Sequence, residues 1–320
     1  MKIGFFSEAG YQGGVTRNHP NMRTDVAWVC ALGAEHIPIP LLREVKKDTF
    51  DIGVVIIPKN KQVVQQFNMM EELKRVCGKI CIMQESTYSY WQDDEIATQV
   101  WYYNCLLEAD LIFCHNDVDL KYYRGLTQRR CELLQSVMIT DNLEGNDTIL
   151  PCGGGGKDGV IIGGNFVSAY RGFDSYVVGK QVGLPIYAPT TGRMKPEERG
   201  LDITHLDWMQ WYQWIHVISK FYMGVQLGTP SAGTFNLNLS FHGIPCIGYD
   251  QVNPQKDLHP QTTIEEGDLN KGIELAQRLK EDVAFYEQCS RETRRLFELN
   301  YTEKVFVEKT MEILESVCNQ

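Results

Sequence analysis

Apolar runs of four to six residues, each followed by a loop of small residues and then a helical pattern, recur along the whole chain, and no other feature narrows its fold as much. Residues 2–6 are such a run; they lead into Ser7-Glu8-Ala9-Gly10-Tyr11-Gln12-Gly13-Gly14, after which Asp25 opens an apolar helical stretch ending near Gly33. Further runs stand at 52–57, 80–83, 111–114 and 133–138, with helical patterns over 61–76, 93–108 and 117–125 between them. Runs this short and this uniformly apolar predict strands buried on both faces, and their alternation with helices predicts a mostly parallel sheet covered on both sides. Residues 151–158, with four consecutive glycines, read as a hinge. The pattern then restarts, with strands at 159–162, 185–188, 223–227 and 246–249, helices over 172–182 and 207–219, and a helical tail from Asp268 onward. At 320 residues the chain is long for one core. The expected fold is α/β with two Rossmann-like domains, residues 1–150 and 158–302.

Composition removes several function classes. No run approaches the roughly 18 apolar residues of a membrane span, and the start is too soon interrupted for a signal peptide, so the expectation is a cytoplasmic protein without a membrane partner. Ten cysteines are scattered without a Cys-x-x-Cys pair, which predicts buried free thiols in a reducing compartment. Cys77 and Cys81 can share a helix face, but no second pair completes a tetrahedral site, so no metal is expected. The net charge is −10, with 15 basic against 20 acidic residues up to position 150 and 16 against 21 after it. Neither half is a basic domain, which argues against tight nonspecific binding of a polyanion.

The most telling stretch is 227–249. A strand end runs into Gly228-Thr229-Pro230-Ser231-Ala232-Gly233-Thr234, then a short amphipathic helix, then Gly243-Ile244-Pro245-Cys246-Ile247. Ser231, Ala232, Gly233 and Thr234 stand at the helix entrance, where free backbone N–H groups and the positive end of the dipole accept an anion such as a diphosphate. A helix capped by Ser231 or Thr234 with nothing bound reads the same residues equally well.

This stretch resembles the sugar-nucleotide motif of GT-B glycosyltransferases, in which a proline-serine loop leads into a helix ending in Gly-x-Pro-Val-Ile. Ala109-Asp110-Leu111-Ile112-Phe113-Cys114 is similar to that family's Ala-Asp-x-Val-Ile strand, and Asn300-Tyr301-Thr302-Glu303 to the aromatic entry of its last helix. The resemblance implies two Rossmann-like domains facing each other across a cleft, with the final helix, about 303–318, packing back on the N-terminal domain. It also implies a nucleoside diphosphate sugar as donor substrate, with no further cofactor and no metal. Retaining members carry two glutamates across the loop and helix; the matching positions here are Pro230 and Asn238, so the sugar and ribose contacts depart from the pattern. The whole chain resembles the compact bacteriophage-encoded members, some of which decorate 5-hydroxymethylpyrimidines in DNA, which admits 5-hydroxymethylcytosine as an acceptor and a host-cell cytoplasm as location; glycan, lipid and small-molecule hydroxyls stay open.

The resemblance maps a phosphate-facing element onto residues 163–172, with Asn165 where the family often has arginine and Arg171 where it often has lysine. Arg193 and Lys195 follow the next strand and are further candidates for the phosphates, as are Gly13 and Gly14 in the first loop. Glu85, at a strand end, and Asp25 are the candidate bases. Arg17, His19, His115, Lys121 and Arg124 are the candidate acceptor contacts; the Lys121-Tyr122-Tyr123-Arg124 run mixes cations with aromatics, as a nucleic-acid grip or an ordinary helix edge would. Trp208, Trp211 and Trp214, at spacing three, read as one side of a helix turned to the core. The leading reading is a metal-independent glycosyltransferase. An epimerase or hydrolase on the same fold, or a silent sugar-nucleotide-binding module, are the alternatives. A nicotinamide dehydrogenase is disfavoured because the first loop lacks Gly-x-Gly-x-x-Gly. The oligomeric state is not legible.

Overall fold

The computed structural model describes residues 1–8, 10–11, 14–58, 68–84, 87–140, 143, 158–163, 166, 170–189 and 194–319. The chain divides into two compact units, Met1–Ile139 with Glu303–Gln320, and Thr140–Thr302. The hinge expected at 151–158 falls, except for Asp158, outside the described residues.

Unit 1 is built from β1 (Ile3–Ser7), α1 (Thr24–Leu32), β2 (Glu35–Pro38), β3 (Phe50–Val55), α2 (Met69–Val76), β4 (Cys77–Met83), α3 (Ser89–Gln92), α4 (Ile96–Glu108), β5 (Leu111–Cys114), α5 (Asp117–Thr127) and β6 (Cys131–Leu133). Its six strands are all parallel in the order β2-β1-β3-β4-β5-β6. β1 and β5 are buried along their whole length because helices cover both faces. On one face Trp28 of α1 packs edge-on against Phe113 of β5, at 5.4 Å, and against Phe306, at 5.1 Å. Phe306 belongs to the last helix, α12 (Glu303–Cys318), which returns to unit 1 from the far end of the chain. Besides that apolar contact, Arg17 holds Glu303 through two hydrogen bonds of 2.9 and 2.6 Å, and Arg130 donates to Ser316 Oγ at 2.8 Å.

Unit 2 comprises β7 (Val160–Ile162), α6 (Gly172–Lys180), β8 (Ile186–Pro189), β9 (Thr204–Leu206), α7 (Trp211–Ile218), β10 (Met223–Gln226), α8 (Thr234–Phe241), β11 (Cys246–Tyr249), α9 (Asn253–Leu258), β12 (Thr263–Ile264), α10 (Leu269–Glu281) and α11 (Val283–Asn300). It too is a parallel six-stranded sheet, in the order β12-β11-β10-β7-β8-β9. In each unit the chain lays strands on one side of its first strand, then crosses to the other. The strand order therefore reverses between β1 and β3 and between β7 and β10, the places where open α/β sheets bind ligands beyond their carboxyl ends.

Small residues set how closely α8 approaches the second sheet. A Cβ on Gly224 of β10 would lie 2.3 Å from Leu239 Cδ1, and one on Gly163 would lie 2.7 Å from Phe235 Cδ1. Leu239 is wholly buried, so its methyl cannot swing away. Gly224→Ala is expected to destabilise the protein by about 1–3 kcal/mol, read as a lower urea midpoint at unchanged slope. An unchanged midpoint would show that α8 is free to move outward.

Several boundaries differ from those the sequence predicts. The strand expected at 133–138 is β6 at Cys131–Leu133, and the helix expected from 207 begins at Trp211. Trp208 consequently stands outside the helix and is 62% exposed, not part of a buried face. Strands β2, β9 and β12 carry no apolar run and are not predicted.

Candidate functional site

In unit 2 the carboxyl ends of β7 and β10 bring two candidate elements side by side. The loop after β7 ends at Arg171, which precedes α6; the loop after β10 holds Ser231–Thr234 and precedes α8. The two loops touch, since a Cβ on Gly228 would come within 3.1 Å of the Tyr170 carbonyl oxygen, and Leu227 N–H donates to Ser175 Oγ in α6 at 2.8 Å. Gly233 is the N-cap of α8 with φ 69°, a left-handed conformation, and a Cβ there would overlap Pro254 at 2.5 Å. Glycine is required on both counts. The first bond of the helical ladder runs from Leu237 N–H to Gly233 C=O at 3.1 Å, and no side chain caps the helix. The N–H groups of Thr234, Phe235 and Asn236 thus lie ahead of the ladder, the arrangement that receives an anion.

Arg171 has φ 45° and ψ 41°, a left-handed conformation that a non-glycine residue holds at a cost. Its guanidinium pairs with Glu266 Oε1, and Gln251 Nε2 donates to Glu266 Oε2. Those hydrogen bonds, Arg171's first, hold the Glu266 carboxyl below the usual range. Sequence reading missed Glu266, because only the pairing of β12 with β11 brings it to this edge. Asn238 points elsewhere. In the orientation that satisfies both ends of its amide, it donates to Thr234 C=O at 3.1 Å and accepts from Trp214 Nε1 at 2.8 Å, tying α7 to α8. Lys195, exposed beyond β8, lines a cavity of about 350 Å³ with Phe166 and Phe173. Gly13, Glu85, Asn165 and Arg193 lie outside the described residues.

In unit 1 the ends of β1 and β2 gather a polar cluster. Ser7 Oγ and His36 Nε2 share a hydrogen bond of 2.9 Å. Tyr11 donates to Asp25 Oδ2 at 2.5 Å, and its ring leans on His36 at 5.2 Å and on His19 at 4.9 Å. Burial lowers the pKa of His36, with the Asp25 charge opposing and His19 adding. The imidazole is therefore neutral at pH 7 and able to take a proton. Asp25 is 2% exposed and occupied by Tyr11, by Arg23 Nε at 3.1 Å and by the Val26 N–H at 3.0 Å. It acts as a fixed charge behind His36 more readily than as a base itself. Gly14, exposed with φ 78°, donates its N–H to the Tyr11 C=O at 3.2 Å.

The remaining acceptor candidates do not join this cluster. Arg17 is held by Glu303. His115 is buried, with Nδ1 2.8 Å from Leu134 O. Arg124 donates to Cys131 O at 3.3 and 2.9 Å, fixing α5 to β6, while Arg130 is shared between Glu132 and Ser316. Tyr123 is buried, while Lys121 and Arg124 of the run read as a nucleic-acid grip are both exposed. Among the described residues no three His, Cys, Asp or Glu side chains group as metal ligands, and no helix is long and apolar enough to cross a membrane.

Neither a scan of protein-family models nor a search of curated proteins gives a match. Solved structures do match. The Anabaena protein HepE, solved with UDP and glucose, aligns over 99% of this chain and 100% of its own at TM-score 0.68 and 8% identity. The α,α-trehalose 6-phosphate synthase of Burkholderia multivorans aligns at TM-score 0.64 and 9% identity, over 87% of this chain and 72% of its own. Sucrose-phosphate synthase from Thermosynechococcus elongatus gives 0.57 and 12%, over 83% and 73%. The two parallel six-stranded units have the fold of GT-B glycosyltransferases.

Proposed function

We propose that the chain is a glycosyltransferase that binds a nucleoside diphosphate sugar on unit 2 and moves its sugar to an acceptor hydroxyl. One observation carries the reading: the loop that ends at a left-handed arginine touches the loop that leads into an uncapped helix start, at the strand-order reversal of a parallel sheet. A departing diphosphate gathers negative charge, which three oriented N–H groups and a guanidinium stabilise more strongly than they stabilise the bound donor. The fold it shares with glycosyltransferases, one of them solved with UDP and glucose, supports the same donor class. In unit 1, His36 is the group suited to accept the acceptor's proton. With Arg124 and Arg130 already engaged, the geometry favours a neutral polyol acceptor over nucleic acid.

Calorimetry with UDP, UMP and phosphate tests the donor half; UDP is expected to bind at least about tenfold more tightly than UMP, a difference of about 1.4 kcal/mol. Equal affinities would remove the diphosphate site. For the acceptor half, His36→Gln is expected to lower kcat about a hundredfold with donor binding intact and to abolish the acid limb of the rate profile. A retained acid limb would assign the proton to another group. Asn238, whose amide is used inside the fold, favours one second reading, a module that binds donor without transfer; labelled sugar nucleotide that binds and is never consumed with any acceptor would establish it.

A further inference from the structure

Unit 1 carries a cavity of about 250 Å³ that the chemistry above does not use, enclosed by α3, α4 and α5. Two stacked aromatic pairs line it: Tyr88 on Tyr122 at 4.0 Å and 15°, and Trp91 on Tyr102 at 4.0 Å and 13°. The floor is fixed from behind. Tyr102 is 4% exposed and its hydroxyl bonds to Gln84 Oε1 and to the Tyr123 hydroxyl, each at 2.6 Å. Tyr88 is pinned by its backbone N–H, which donates to the buried Asp119 carboxylate at 2.8 Å. Gln92 and Gln99 supply neutral amides at the mouth; the Gln99 NH2 donates to the carbonyls of Gln92 and Asp94, and among the described residues no donor reaches its oxygen. No charged side chain lines the space.

We propose that this cavity holds one neutral pyranose unit of a glycan, as a subsite of the acceptor. The size sets an upper bound: drug-sized ligands occupy pockets of about 300–1,000 Å³, so a single ring fits and a helix or strand does not. The missing charge argues against phosphates, nucleotides and cationic peptides. A pyranose presents C–H faces of partial positive charge, which aromatic quadrupoles attract, and a hydroxyl edge, which amide and phenol groups bind. Gln84, which follows β4, bonds Tyr102 of the cavity, and β4 lies three strands, or roughly 14 Å, from β2, which carries His36; an oligosaccharide acceptor, not a single sugar, would reach both. Calling the sugar an acceptor rests on the proposed transferase reading; the binding of a sugar does not.

The test is saturation-transfer NMR on the full chain with glucose, N-acetylglucosamine and their short β-linked oligomers at millimolar concentration, without nucleotide, and with a proline-rich peptide in parallel. At least one saccharide is expected to take up saturation. Its dissociation constant is expected to rise about tenfold, the size of one lost ring contact in Tyr122→Ala and of one lost hydrogen bond in Gln92→Ala. Gln92 is exposed, so its variant carries the test should Tyr122→Ala fail to fold. Saturation of no sugar, sugar binding unchanged in the folded variants, or binding of the peptide alone would overturn the subsite. UDP affinity measured on the same samples separates the outcomes: UDP binding without sugar binding ends this inference and leaves the transferase reading standing.

Discussion

Arg171→Ala is expected to lower kcat by about 10²–10³, with a smaller change in donor KM. The N-terminus of α8 contributes a partial charge of about half a unit, whereas a departing diphosphate carries more than that, so a full cation beside it has the larger share of the work. The charge grows as the glycosidic bond breaks, which places the loss in kcat. Arg171→Lys retains the charge without the two-pronged geometry and is expected to recover only part of the rate. Steady-state kinetics with a UDP-sugar decides it. An alanine variant with wild-type kcat would mean that Arg171 serves the loop alone.

Glu266 adds a second expectation at the same place. Because Arg171 is paired with Glu266 in the free protein, a diphosphate must take the guanidinium from that carboxylate before it is stabilised. Both side chains are more than a third exposed, so the pair is worth at most about 1 kcal/mol. Glu266→Gln is accordingly expected to tighten UDP binding by no more than about fivefold. A weaker affinity in that variant would make Glu266 a positioning group for Arg171 and not its competitor.

The pattern of what the sequence made legible follows from burial. The strands at 2–6, 52–57, 80–83, 111–114, 223–227 and 246–249 lie inside the sheets, where both faces are covered and every position tends to be apolar. β2, β9 and β12, which the sequence does not announce, and β6, which it misplaces, are the four edge strands of the two sheets. An edge strand has one covered side at most; β2 buries no residue fully, and β12 is two residues long. His36 lies on β2, so the polar cluster of unit 1 was hidden for the same reason, while Asp25 and His19, in the loop and helix after β1, were visible. In unit 2 the glycine and serine content of the 228–234 loop made the helix entrance readable. The Arg171–Glu266 pair was not, since residues 95 positions apart meet only through the sheet.

Acidification below pH 6.5 is expected to unfold unit 2 before unit 1. His259 is 2% exposed; its Nδ1 accepts the Cys246 N–H at 3.3 Å and lies 2.8 Å from Thr293 Oγ1, and its Nε2 lies 3.0 Å from Ser240 Oγ. A second proton would set Nδ1 against that backbone donor, and burial pushes its pKa down to about 3. His242 is pushed down to about 4, chiefly by burial and further by the Arg294 and His216 charges, with its bond to Ile215 C=O opposing. Both folded values lie below the ordinary 6.5, so the unfolded chain binds more protons in this range; stability is complete above pH 6.5 and is lost as pH falls toward 4 and 3. Each histidine costs about 1.4 kcal/mol per pH unit, so two units of acidification remove roughly 5 kcal/mol, comparable to the whole stability of a small domain. Unit 1 has one histidine of the same sign, the half-buried His36, but also a group of the opposite sign. Burial raises Asp119 to about 6, against hydrogen bonds from the Tyr88 N–H and Asn116, so its carboxyl costs stability as pH rises from 4 to 6 and is relieved as pH falls. Peptide-resolved hydrogen exchange at about pH 4.5 should find β10 and β11 unprotected while β4 and β5 remain protected. His259→Gln, though less stable at neutral pH, should show a shallower dependence by one histidine's share. Simultaneous loss in both units, with a slope that His259→Gln leaves unchanged, would trace the acid limit to carboxylate pairs instead.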